Sequence, residues 1–114
     1  MNLSIPILIC DKNEEIRLLL KDMLTKHGCF HLIEAHSSEE TLQLLGENQF
    51  ILIHKNLIND QIKKELFRSR NFLIITQPED KETISLAAHF GVEHLISFPY
   101  SSKGLIGKMN QILN

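Results

Sequence analysis

Short apolar runs rich in Ile and Leu alternate along this chain with segments whose apolar residues recur three and four positions apart. A strand turns successive side chains to opposite faces, whereas a helix returns to one face every three or four residues, so the alternation marks strands followed by helices. It predicts strands over Ile5–Cys10, Phe30–Ala35, Phe50–His54, Phe72–Thr76 and Leu95–Phe98. Helices are predicted over Glu14–His27, Ser38–Glu47, Asp60–Arg68, Glu79–Phe90 and Ser102–Leu113, with Ile16, Leu19, Leu20, Met23 and Leu24 facing inward from the first. Local signals agree: Ser37-Ser38-Glu39-Glu40 fits a capping box, Gly28 stands where a helix ends, and Gln77-Pro78-Glu79 opens the fourth helix. The central strands read as apolar runs, as strands covered on both faces of a parallel sheet should.

Five such units in 114 residues leave room for short connections only. Right-handed crossovers then give an α/β, doubly wound, five-stranded parallel sheet in the order 2-1-3-4-5 with five helices. Residues 1–114 read as a single domain without internal repeat, linker or low-complexity segment, and any output domain is expected to lie outside them.

The net charge of −2 supplies no field that would recruit nucleic acid or an anionic membrane, so direct nucleic-acid binding is not expected. No apolar run reaches the ~18 residues of a membrane span, and Met1–Ile9 lacks the basic start of a signal peptide. A soluble, cytoplasmic protein is the expectation. Cys10 and Cys29 fall at opposite ends of a parallel strand pair, on the order of 15 Å apart, which predicts free thiols. No Cys/His spacing points to a structural metal, and no cofactor is implied.

In a doubly wound sheet, ligands gather outside the carboxyl ends of the strands where the order reverses, here between strands one and three. Asp11-Lys12 ends the first strand, His54-Lys55-Asn56 the third, Thr76-Gln77 the fourth, and Ser97-Phe98-Pro99-Tyr100 follows the fifth. The turn Cys10-Asp11-Lys12-Asn13-Glu14-Glu15 has no glycine, so its backbone cannot cradle a pyrophosphate as a dinucleotide fold does.

At these positions the sequence resembles the CheY-like receiver domains of two-component response regulators. Ile7-Leu8-Ile9-Cys10-Asp11 with Glu14-Glu15-Ile16-Arg17 is similar to the family's first strand and helix, and Glu34-Ala35-His36-Ser37-Ser38-Glu39-Glu40-Thr41-Leu42 to its second strand-helix unit. Ala87 to Gly91-Val92, followed by Ser97-Phe98-Pro99-Tyr100, is similar to its fourth helix and fifth strand. The resemblance spans the chain. It implies a phosphoryl-accepting site with two acids after strand one, an acceptor aspartate ending strand three, a hydroxyl ending strand four, and a lysine before the strand-five proline. By position Asp11 is the first acid and Thr76 the hydroxyl, whereas Lys12, His54 and Phe98 replace the second acid, the acceptor and the lysine.

Phosphoryl transfer needs a nucleophile and cations that neutralise the equatorial oxygens, and magnesium prefers an octahedron of hard oxygens. One carboxylate that could touch the ion remains, Asp11, with Lys12 and Lys55 expected to add positive charge where the ion would sit. No aspartyl phosphate can form at His54. Fewer residues separate His54 from Thr76 than in the family, Ile58 replaces a usual proline, and Leu95 replaces the strand-five aromatic that couples to the strand-four hydroxyl.

Alternatives stay open at several positions. His54 is a phosphorylated histidine, a metal ligand or a pH sensor on one reading, and a polar residue tolerated at a strand end on the other. Lys12 is either a built-in cation paired with Asp11 or a surface lysine. Asp11 on the plainer reading is a charge favourable to the first helix, and Thr76 is kept for packing and a local hydrogen bond. Lys63, Lys64, Arg68 and Arg70, interleaved with Asp60 and Glu65, read as a solvated helix face. Gly104 and Gly107 make the last helix locally weak or closely packed. Cys10, Tyr100 and the six histidines permit redox or pH sensing without demanding it.

The family's partner surface is the face made by helix four, strand five and helix five. Here it would present Lys81, Glu82, Ser85, His89, His94 and Lys103, a polar surface without a large apolar anchor, suited to a transient contact. The function expected is that of a non-enzymatic pseudo-receiver acting through a protein partner, a histidine kinase or a downstream signalling protein, with room for a weak homodimer. Two alternatives stand beside it: a phosphoacceptor using His54 or Asp60, and the regulatory part of a longer DNA-binding response regulator.

Overall fold

The computed structural model describes residues 5–77 and 80–113. Five strands, β1 (Ile7–Cys10), β2 (Leu32–Ala35), β3 (Phe50–His54), β4 (Phe72–Thr76) and β5 (Leu95–Ser97), form one sheet in the order β2-β1-β3-β4-β5 with every neighbouring pair parallel. The helices are α1 (Glu14–Lys26), α2 (Ser38–Leu44), α3 (Asp60–Ser69), α4 (Lys81–Phe90) and α5 (Ser102–Leu113). Short 3-10 turns at Lys55–Leu57 and Val92–His94 complete the path.

The alternation of side chains across the sheet divides the core in two. Leu8, Cys10, Ile51, Ile53, Phe72, Ile74 and Leu95 meet Ile62 and Leu66 of α3 and Leu86 and Phe90 of α4 on one face. Ile7, Ile9, Phe50, Leu52, Leu73, Ile75 and Ile96 meet Leu20 and Leu24 of α1 and Leu105 and Met109 of α5 on the other. All residues of β1 and β4, and Phe50 to Ile53 of β3, are buried, which is why these strands show no period-two pattern in sequence.

The helices begin where short polar side chains satisfy orphan amides. Asn13 accepts from Glu15 and Ile16, Ser37 from Glu40, Asn59 from Ile62, and Asp80 from Glu82. The capping box is closed one residue early, because Glu40 reaches back to the amide of His36. Gly28, at φ 84°, follows the end of α1 as expected.

Several sequence boundaries shift. The second strand starts at Leu32 and leaves Phe30 outside the sheet, 73% exposed. The fifth stops at Ser97, so Phe98 belongs to the turn. The second helix ends at Leu44, where Gln49 donates to the Leu44 carbonyl and accepts from Gly46. Helix α4 starts at Lys81; Pro78 and Glu79, expected to open it, lie outside the described residues. Leu19, expected inward on α1, is exposed, and the inward face is Ile16, Leu20, Met23 and Leu24. Cys10 and Cys29 are free and buried. Among the described residues no helix is long and apolar enough to cross a membrane.

Gly107 has open space where a Cβ would stand, so nothing in this chain requires a glycine there. Gly107→Ala is expected to raise unfolding stability by about 1 kcal/mol through helix propensity. Leu52→Ala, at a fully buried position between the sheet and α1/α5, is expected to lower it by about 2–5 kcal/mol. Urea unfolding of both variants measures these changes.

Candidate functional site

The carboxyl ends of β1, β3, β4 and β5 frame an open cleft of about 770 Å³. Its lining joins Asp11, Lys12, Asn13 and Ile16 to His54, Asn56 and Leu57 and to Ile75, Gln77 and Phe98. Four of the five candidate site residues therefore line one cleft. Thr76, the fifth, does not line it: the residue is fully buried, and its hydroxyl lies 3.4 Å from the Ile96 carbonyl and 3.3 Å from the Ser97 hydroxyl.

Asp11 is 5% exposed. Its Oδ1 accepts from the Asn13 amide at 2.8 Å, which shapes the turn into α1, and its Oδ2 has no hydrogen-bond partner among the described residues. Arg17 ties this loop from behind, donating to the carbonyls of Asp11 at 2.7 Å and Lys12 at 3.3 Å and to Glu34 at 3.0 Å. Burial pushes the Glu34 carboxyl up, but Lys21 and Arg17 together outweigh it and leave its pKa lowered.

Lys12 is exposed and forms no ion pair with Asp11, so the built-in cation gives way to the surface lysine. His54 is half-buried, and its Nδ1 accepts from the Asn56 amide at 3.1 Å. The ring caps the 3-10 turn after β3, and when neutral it carries its proton on Nε2. Phe98, 42% exposed, stands edge-on to Tyr100 with ring centroids 5.9 Å apart.

Lys55 corrects the expectation that it adds charge to the cleft. It is 8% exposed and turns away to the α3/α4 side, where its ammonium is paired with Asp80 and lies 3.4 Å from Glu82. The hydrogen bond that Lys55 donates to Asp80 raises the Lys55 pKa and lowers that of Asp80. Asp80 is also the N-cap of α4, so one ion pair fastens the loop after β3 to the start of α4. Sequence reading missed this pair because its members are 25 positions apart; the one local signal was an Asp placed to cap a helix.

The candidate partner face also changes. Lys81, Glu82, Ser85, His89 and Lys103 are exposed as expected, and Glu82 also lies 3.4 Å from the Lys55 ammonium. His89 packs its ring on Phe67 and Phe90 at 4.8 and 4.7 Å. His94 is drawn inward: it stacks on Phe72 at 4.1 Å, and its Nδ1 lies 3.0 Å from the Phe72 carbonyl. Nor does the surface lack apolar side chains, since Ile84 on α4 is 68% exposed and Val92 71%. Leu95 is buried against the α3/α4 core and has no polar group to move. Gly104 and Gly107 are exposed; a Cβ at Gly107 would meet open space, whereas one at Gly104 would stand 3.2 Å from the Ser101 hydroxyl, which accepts from the Gly104 amide. The basic stretch stays in solvent, with Arg68 paired to Glu65 at 3.6 Å and Arg70 ending α3 at φ 62°.

The residues present do not fit the magnesium ion of a phosphoryl-accepting site. Among the described residues Asp11 is the one carboxylate lining the cleft, one of its oxygens already serves the turn, and no group of three of their His, Cys, Asp or Glu side chains could hold a metal. Burial pushes the Cys10 thiol up to about 12 and, with the Asp11 charge, the Tyr100 phenol up to about 12. Cys10 thus lacks the exposed, low-pKa thiolate of a redox sensor.

No protein-family model matches the chain, and no curated protein matches it. Solved structures do. A response regulator receiver domain protein from Clostridium thermocellum superposes with a TM-score of 0.79 at 21% identity, over 96% of this chain and 94% of that one. The chain has the receiver-domain fold. The signal receiver domain of an HD domain-containing protein from Pseudomonas fluorescens Pf-5 gives 0.78 at 22% identity, over 96% of this chain and 87% of that one. Full-length FixJ from B. japonicum gives 0.75 at 16% identity, over 96% of this chain and 58% of that one.

The sign of the Lys55–Asp80 linkage sets a pH dependence. Asp80 has a lowered pKa in the folded protein, so its contribution is present above the ordinary carboxylate range and is lost as pH falls through the folded value. Lys55→Met is expected to be less stable than the wild type at neutral pH, with the difference narrowing below about pH 4. Thermal unfolding of both proteins as a function of pH measures this.

Proposed function

We propose that this receiver-fold chain is a non-enzymatic signalling module of two-component type that acts by protein–protein contact without phosphorylation at the usual position. The observation that carries the reading is His54. At the strand-three position where a receiver would hold its acceptor aspartate stands an imidazole whose Nδ1 is engaged in capping the following turn. Around it one carboxylate remains among the described residues, Phe98 takes the place of the phosphate-binding lysine, and Leu95 takes the place of the switch aromatic.

The Lys55–Asp80 pair adds a reason for independence from phosphate. It holds the start of α4 by an internal charge, so α4 is positioned without a modified residue. The partner would meet the α4 side of the domain, where Ile84 and Val92 supply apolar contact beside Lys81, Ser85 and Lys103. A histidine kinase or a downstream signalling protein is the partner class, and self-association would use the same face. Two buried free thiols suit the reducing cytoplasm, where we place the protein.

Residue-resolved amide NMR spectra before and after addition of magnesium and beryllium fluoride test this reading. The amides of Asp11, His54 and Thr76 are expected to keep their positions. Shifts that start at these residues and spread into α4 and β5 would show a working acceptor and overturn it.

A further inference from the structure

His54 ends β3, lines the cleft, and accepts the Asn56 amide on Nδ1 at 3.1 Å. That bond needs a lone pair on Nδ1, which a neutral imidazole with its proton on Nε2 has and an imidazolium lacks. Protonation therefore removes the acceptor at the entry to the 3-10 turn Lys55–Leu57, whichever way the ring is rotated. The ring is half-buried beside an open cleft, so water reaches it.

The turn gives this bond a reach beyond itself. Its first residue is Lys55, whose buried ammonium is paired with Asp80 and lies 3.4 Å from Glu82. Asp80 in turn caps α4 by accepting the Glu82 amide at 2.9 Å. A continuous path runs from the imidazole to the Asn56 amide, through the backbone of Lys55, to the start of α4. The far end of the turn is held independently: the Ile58 amide donates to the Lys55 carbonyl at 3.1 Å, and the Ser38 hydroxyl to the Leu57 carbonyl at 2.7 Å. Loss of the cap thus loosens the entry to the turn, where Lys55 stands, and leaves its exit in place.

Among the described residues, the charges along this path come from four elements. Asp11 and Lys12 of the turn before α1 line the cleft with His54; Asp11 attracts an imidazolium, and Lys12, in water, repels it through solvent screening. α4 contributes Asp80 and Glu82, both facing Lys55, and Lys63 of α3 shares a groove with Lys55, Asn56 and Glu82. α2, tied to the turn by Ser38, brings His36 and Glu40, which are paired with each other at 2.9 Å. Gln77 and Phe98 complete the His54 side without charge.

We propose that protonation of His54 is a switch that unlatches α4: the neutral ring holds the Lys55 turn and with it the Lys55–Asp80 pair, and the imidazolium gives up the Asn56 amide and releases the pair. The inference rests on the signalling reading for its consequence, a change in the α4 partner face, whereas the coupling itself stands on the contacts named above.

Amide and imidazole nitrogen NMR spectra of the full chain, recorded from about pH 8 to about pH 5.5, span imidazole titration and stay above the ordinary carboxylate range. At about pH 8 the His54 ring is expected as the Nε2–H tautomer. As it takes up a proton, the amides of Asn56, Glu82 and Thr83 are expected to shift with the midpoint of the ring. Glu82 and Thr83 lie at the end of α4 away from His89, which keeps the two imidazoles distinguishable. His54→Asn supplies an oxygen that does not titrate and can accept the same amide, as Asn13 accepts the Glu15 amide at the same spacing. It is expected to fold and to lose the pH response at Glu82 and Thr83. Lys55→Met is expected to keep the response at Asn56 and lose it at Glu82 and Thr83; if that variant does not fold, His54→Asn decides. An Nδ1–H ring at the alkaline end, α4 amides that do not follow the ring, or a response at Glu82 and Thr83 that persists in either folded variant overturns the inference. A response to beryllium fluoride is read in a separate titration at the alkaline end and bears on the phosphorylation-independent reading alone.

Discussion

Burial of the central strands on both faces governs the rest of this molecule. β1, β3 and β4 carry Ile, Leu and Phe toward α1 and α5 on one side and toward α2, α3 and α4 on the other, so their interior has no space or solvation for a charge. Polar chemistry is displaced to the strand ends. The parallel arrangement then brings those ends together at one edge, and Asp11, His54 and Phe98, far apart in sequence, come to line a single cleft.

At that edge the distribution of charge decides what the fold can do. Of the two lysines beside the cleft, Lys12 lies in solvent and Lys55 is committed to Asp80 and Glu82 on the α4 side. Among the described residues the cleft is left with one carboxylate, an imidazole that caps a turn, and the Phe98 ring. The receiver fold by itself does not fix the chemistry of that edge, because function resides in side chains grafted onto a common architecture.

The strand order, the parallel sheet and the five helices were legible because each rests on periodicity and turn chemistry within about a dozen residues. Boundaries were less so where tertiary contacts end an element. Phe30 reads as a strand residue by type but lies outside the β2 pairing, and the residues after Leu44 read as helix until Gln49 closes the turn. His94 reads as a surface histidine, yet its ring is taken up by Phe72. Ile84 passes unnoticed among polar neighbours, though it is the large apolar side chain that α4 exposes.

By itself the sequence determined the architecture and which side chains stand at the strand ends, since these depend on local pattern and on residue identity. The tertiary structure decided how the polar groups there are used: that Lys55 holds α4 and leaves the cleft, that Thr76 bonds to β5, and that Asp11 shapes the turn into α1. The physical reason is range. Backbone preferences act between near neighbours, whereas a charged or polar side chain finds its partner only after the chain has closed on itself and excluded water.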